Sequence, residues 1–81
     1  MDINNYVHGF KTKYEQGFTP EEMNEVLEHF KDEISMDAFN DAMMGNTCPV
    51  VEGQMLVYKH DLITGIRCGI ENRTPNVWEW D

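Results

Sequence analysis

Apolar residues recur with helical spacing through the first half of the chain. Ile3, Tyr6, Val7, Phe10 and Tyr14 follow i, i+3, i+4, i+7, i+11, with Asp2 available as a cap and Gly17 as a left-handed stop, so residues 2–16 read as a first helix. Gly9 in its middle costs about 1 kcal/mol of propensity and is a candidate close crossing. The stretch FTPEEMNEVLEHFKDEI, 18–34, carries a fuller set of signals. Thr19 can cap, Pro20 takes the first helical position, Glu22 falls where a capping-box partner belongs, and Phe18 and Met23 are spaced as a hydrophobic staple. Met23, Val26, Leu27, Phe30 and Ile34 make the inner face of a helix over 19–33, and Glu21, Glu25, Glu28 and Asp32 make its outer face. The short link between these helices predicts an antiparallel helical hairpin. Ser35 can cap a third helix over 36–44, with Met36, Phe39 and Met43 inward and Gly45 as its end.

From Asn46 the pattern becomes β-like. Val50-Val51 and Gln54 to Tyr58 flank Glu52-Gly53, a two-residue turn suited to type I′, so 48–58 reads as a β-hairpin, and Pro49 marks its first strand as an edge. Residues 61–73 admit two readings. As a helix, Asp61 caps it, Leu62, Ile63, Ile66 and Ile70 face the hairpin, and Gly65 and Gly69 allow close backbone approach. As a strand, Ile66, Cys68 and Ile70 alternate with polar or small residues and the two glycines no longer cost about 2 kcal/mol. The helix is favoured because the strand would leave Leu62 and Ile63 in a loop. Thr74-Pro75 ends either element. In NVWEWD, 76–81, Trp78 and Trp80 share one face, which reads as a short terminal strand laid on the hairpin and covering it. The expected fold is α+β: one domain over 1–81, with a helical hairpin, a short third helix, a small antiparallel sheet and a fourth helix.

Composition narrows the function classes. An 81-residue chain with 41% apolar residues can bury one small core, with about 5 kcal/mol of net stability, and has little room for an enclosed active site. The net charge of −9 is uneven: residues 1–45 carry ten acids against three lysines, −7, and residues 46–81 carry five acids against Lys59, Arg67 and Arg73, −2. Such a chain repels nucleic acid and anionic lipid and attracts basic protein surfaces. With no apolar run of about 20 residues and no signal-peptide pattern at MDINNYVHGF, the expectation is a cytoplasmic protein without a membrane segment. Two cysteines are too few for a disulfide framework and would stay reduced there.

Candidate chemistry does not lift the chain out of this class. Cys48, His60 and Cys68 are separated by 12 and 8 residues, unlike the paired spacings that preorganise zinc, so no metal and no cofactor is expected. A net negative field raises a thiol pKa, and carboxylates on an open helix face lack the raised pKa that acid–base work needs, so no catalytic residue is assigned. Glu71, Arg73, Trp78 and Asp81 are the one set that could line a small polar site. The stretch ISMDAFNDAMMG resembles the exiting helix of an EF-hand, but only Lys31, Asp32 and Glu33 separate Phe30 from Ile34, so the calcium loop that the resemblance implies is absent. A helix-turn-helix over the second and third helices is excluded as a DNA reader by the acids on its outer faces.

What remains is a protein-binding module. Glu21, Glu25, Glu28, Asp32, Asp37 and Asp41 are the candidate contact residues, docking the basic surface of a partner that itself binds nucleic acid, with successive carboxylates about 5–6 Å apart by helical rise, close to backbone phosphate spacing. In size and charge the chain resembles small phage-encoded inhibitors of host nucleases and restriction systems, which implies inhibition by charge mimicry. The alternative is an assembly subunit that forms a homo-oligomer through a Trp and Met surface, with Trp78 and Trp80 as apolar anchors rather than core.

Overall fold

The computed structural model describes residues 3–44 and 49–76. Among them are four helices, α1 (Ile3–Gly9), α2 (Pro20–His29), α3 (Met36–Met43) and α4 (Lys59–Glu71), and one antiparallel sheet of two strands, β1 (Val50–Val51) and β2 (Gln54–Met55). The fold is α+β, as the sequence indicates. Asp2, the Cys48 end of the hairpin and the terminal segment with Trp78 and Trp80 lie outside the described residues.

Helix α4 is the most buried helix, and α3 and α1 pack on it. Seven of its residues are buried, Leu62, Ile63, Thr64, Gly65, Ile66, Cys68 and Gly69, and the helical reading of 61–73 is the one adopted. It begins earlier than expected, with Tyr58 at the cap, so Asp61 sits inside the first turn and does not cap. It ends on Asn72 in the left-handed conformation, φ 55°, a conformation that Asn tolerates better than most residues. Its main contacts are with α3 and α1, whereas the sequence reading placed the hairpin against it. The two glycines explain this choice. A Cβ at Gly69 would overlap Ile34 Cγ1 and lie 2.9 Å from its Cδ1 and 3.2 Å from the Ser35 carbonyl, and a Cβ at Gly65 would lie 2.6 Å from Met43 Sδ and 3.0 Å from the Phe39 ring. The Ser35 N–H donates to the Gly69 carbonyl at 2.8 Å across the same contact. Around it Val7, Phe18, Val26, Leu27, Phe30, Ile34, Phe39, Leu62, Ile63 and Ile66 form one core.

Two helices are shorter than their periodicity suggests, and each correction has a cause in packing. The expected helix over 2–16 stops at Gly9, where a Cβ would meet nothing within 4 Å, so Gly9 marks an end and not a crossing. Residues 10–19 form an irregular connection in place of the expected two-residue hairpin link. Gly17 there lies so close to the Val57 carbonyl that a Cβ would overlap it, and Phe18 exchanges two backbone hydrogen bonds with Val57, 2.7 and 2.9 Å. A helix continued to residue 16 could not deliver Phe18 to that bridge. The helix expected over 19–33 likewise ends at His29 and closes with i→i−3 turns, Phe30 N–H to Leu27 at 3.1 Å and Glu33 N–H to Phe30 at 2.9 Å. The chain has to leave the α2 axis there for Ile34 to reach Gly69. Asp32 therefore falls off the helical row.

The start of α2 follows its signals. Thr19 accepts from the Glu22 N–H at 3.2 Å, and the Glu22 carboxylate accepts from the Thr19 N–H at 2.8 Å. Its second oxygen accepts from the Lys13 N–H at 2.8 Å, so one side chain caps the helix and pins the preceding loop. The hairpin turn also forms as read: Glu52 at φ 53° and Gly53 at φ 80° give the two left-handed positions of a type I′ turn. The strands are shorter than 48–58, because after Leu56 bonds Pro49 the chain turns its next outward edge to Phe18.

Gly69→Ala is expected to destabilise the fold by about 1–3 kcal/mol, the cost of overpacking, although the same change on an exposed helix would stabilise by about 1 kcal/mol. Gly65→Ala should cost less, since the flexible Met43 side chain can yield whereas the Ser35 backbone cannot. Urea midpoints of the two variants check both sign and order.

Candidate functional site

The carboxylates singled out in the sequence all reach solvent. Glu21, Glu25 and Glu28 are exposed on α2, Asp32 is exposed on the turn that follows it, and Asp37 and Asp41 are exposed on α3. Each pair within a helix, Glu21 with Glu25, Glu25 with Glu28 and Asp37 with Asp41, lies at i, i+3 or i+4, a spacing at which like charges cost about 0.2–0.5 kcal/mol. Glu28 alone of the six has a cation, Lys31 Nζ at 2.9 Å, in a pair exposed on both sides. Among the described residues the other five carboxylates make no ion pair and no hydrogen bond. Their charge is left uncompensated by the fold. Glu22, in the same run of sequence, is different in kind, because its two oxygens are already held by backbone N–H groups.

One open cleft of about 180 Å³ lies between α3 and the C-terminal end of α4, lined by Asp37, Ala38, Asp41, Asn72, Arg73 and Thr74. It is smaller than the roughly 300–1,000 Å³ of typical small-molecule sites. The structure brings Glu71 and Arg73 together as the sequence grouped them: Arg73 Nε pairs with Glu71, and its Nη1 donates to the Thr74 carbonyl at 3.2 Å. Their companions in that grouping, Trp78 and Asp81, lie outside the described residues. What the sequence missed is that Asp37 and Asp41 share a wall with this arginine, a juxtaposition made by the α3–α4 contact.

Two of the three metal candidates fall in α4. Cys68 is fully buried in α4, His60 is exposed at its first turn, and Cys48 is outside the described residues. Among the described residues no three His, Cys, Asp or Glu side chains are grouped to hold an ion. No described helix is long and apolar enough to cross a membrane. Among the described residues the exposed large apolar side chains are Met36, Met44, Val50, Met55 and Tyr58, whereas Met43 is turned inward against Gly65. No protein-family model, no curated protein and no solved structure matches the chain.

Electrostatics inside α4 single out Asp61. Burial raises its carboxyl above the ordinary aspartate value, and the neighbouring His60 charge only partly opposes this. The folded chain thus holds this proton more tightly than the unfolded chain. The group's contribution to stability is complete below the unfolded pKa, about 3.9, and is lost as pH rises through the raised folded value. Asp61→Asn removes that loss, so the stability of the variant relative to the parent should climb as pH increases from the unfolded aspartate pKa, about 3.9, through the raised folded value. Urea midpoints at a series of pH values read it directly, and a difference that stays flat would remove the claim.

Proposed function

We propose that the protein is a small acidic binding module whose outer carboxylates dock a basic surface of a partner protein and compete there with nucleic acid. The observation that carries the reading is the set of five exposed carboxylates, Glu21, Glu25, Asp32, Asp37 and Asp41, that make no ion pair among the described residues. A face kept only for solubility would ordinarily mix its signs, and like charges along a helix subtract from stability. Charge held at a cost to folding is consistent with a partner that supplies the compensating cations. The nucleic-acid likeness is shorter than the sequence suggests. Only Glu21, Glu25 and Glu28 keep the helical rise that resembles phosphate spacing, since Asp32 lies beyond the end of α2. The docking is therefore mainly electrostatic, through carboxylates on two helices, with a steep dependence on ionic strength.

The test uses the intact chain as bait at low salt, followed by elution with rising salt. Two variants are compared on the partner so obtained, one with Glu21, Glu25 and Glu28 as Gln and one with Asp37 and Asp41 as Asn. Each should fold with equal or greater stability than the parent. Loss of about tenfold or more in affinity, together with a shallower salt dependence, is expected from at least one set. If both folded variants bind as the parent does, the docking reading is wrong.

A further inference from the structure

Five methionines lie among the described residues, and their surroundings differ. Met36, Met44 and Met55 are 45%, 77% and 61% exposed, so an oxygen added to any of these sulfurs is met by water. Met23 and Met43 are partly buried against the core. Met43 is distinguished further, because its sulfur lies on the backbone of another helix. A Cβ at Gly65 would stand 2.6 Å from Met43 Sδ, 3.2 Å from its Cγ and 3.0 Å from the Phe39 ring. This thioether and this ring fill the notch that the missing side chain leaves in α4.

The position of Met43 makes the notch matter to α3. It is the final residue of that helix, beside a capping N–H of Met44 that closes on Asp41 at a long 3.3 Å, so this end relies on the packing of Ala42 and Met43. Oxidation changes the side chain in a way the notch cannot take. A methionine sulfoxide is larger and polar, and its oxygen is an acceptor. A glycine Cα and a phenylalanine ring carry no N–H or O–H to bond it. The oxygen either enters the apolar notch or turns out to water with the side chain lifted off Gly65. The first leaves a buried acceptor unsatisfied and the second gives up the contact.

We propose that Met43 is a redox-sensitive lock on the α3–α4 contact. The residue is only partly buried and stands at a helix end, within reach of a solute as small as hydrogen peroxide. Its Sδ lone pair attacks a peroxide oxygen, an S–O bond forms as the O–O bond breaks, and the departing oxygen leaves as water. The sulfur is oxidised by two electrons and the peroxide is reduced by two. The last turn of α3 then loses its hold on α4. A methionine sulfoxide reductase, with a dithiol as reductant, returns the two electrons, releases the oxygen as water and restores the contact. The lock is a property of the fold and holds or fails apart from the docking reading, although α3 carries two of the docking carboxylates, Asp37 and Asp41.

The test exposes the intact protein to graded hydrogen peroxide, maps the oxidation of each methionine by peptide mass spectrometry and follows thermal unfolding of the same samples by circular dichroism. Conversion of Met36, Met44 and Met55 should come at low dose with little change in Tm. Conversion of Met43 should come later and lower Tm by about 5 °C or more, the scale of one lost packing contact in a domain of this size. Reductase treatment should return Tm to its starting value. Met43→Leu keeps the apolar volume and should be spared that second drop, whereas Met23→Leu should show it in full. The parallel between Met43 conversion and Tm in the parent decides the matter independently of any variant. A Met43 that stays reduced after Met36, Met44 and Met55 are fully converted overturns the proposal, as does a loss of Tm that follows the exposed methionines or Met23, or one that persists in Met43→Leu.

Discussion

The contact of Ile34 and Ser35 with the backbone of α4 at Gly69 constrains nearly everything else in the molecule. Because no side chain stands at 69, the Ile34 Cγ1 and Cδ1 reach the helix backbone and the Ser35 N–H reaches the Gly69 carbonyl at 2.8 Å. That single placement fixes where α3 starts, since Ser35 is also its cap and accepts from the Ala38 N–H. It also fixes where α2 stops, since the chain has to break its helix after His29 to bring Ile34 across. Phe39 and Met43, one and two turns further along α3, then fall onto Gly65 by helical periodicity alone. A pair of glycines that costs about 2 kcal/mol of propensity is thereby offset by the packing of three large side chains on the backbone.

The other half of the molecule is tied together by backbone groups more than by helix packing. Phe18 is completely buried and at the same time exchanges two main-chain bonds with Val57, so the residue before the α2 cap doubles as a strand partner for the hairpin. Glu22 holds the adjoining loop by accepting from both Thr19 and Lys13, and Tyr14 reaches the turn residue Glu52 at 2.9 Å. Stacking of the Tyr6 ring on His29, centroids 3.9 Å apart and nearly parallel, joins the short α1 to the end of α2. These few links do the work that a long helical hairpin would have done.

What could be read from the sequence follows from the range of the interactions concerned. Signals completed within a few residues were legible: the Thr19 and Glu22 capping box, the Ser35 cap, the Glu52-Gly53 turn, and Pro49 at an edge strand. The α+β class and the helical choice for 61–73 also came through, the latter because Leu62 and Ile63 need burial. Periodicity overreached wherever a long-range contact had the better claim on a residue. Phe10 and Tyr14 fit the stripe of a helix, but Gly17 and Phe18 are needed at Val57, and a regular helix cannot meet that demand. Asp61 looked like a cap because nothing local showed that Tyr58 would cap and that Lys59 and His60 would already be helical. The six acidic candidates were legible as solvent-facing positions, whereas the wall that Asp37 and Asp41 share with Arg73 depends on the α3–α4 contact and has no signature in spacing.

Charge and apolar exposure are segregated on this surface, and the segregation has a physical consequence. The uncompensated carboxylates lie on α2, on the turn after it and on α3, while the exposed valine and methionine of the hairpin lie in a segment of zero formal charge. At low ionic strength the carboxylates repel a second copy over about 10 Å or more, and at physiological salt that repulsion is screened within about 8 Å. Salt therefore weakens any attraction made through the acids, whereas the hairpin segment, with no formal charge, is nearly insensitive to it.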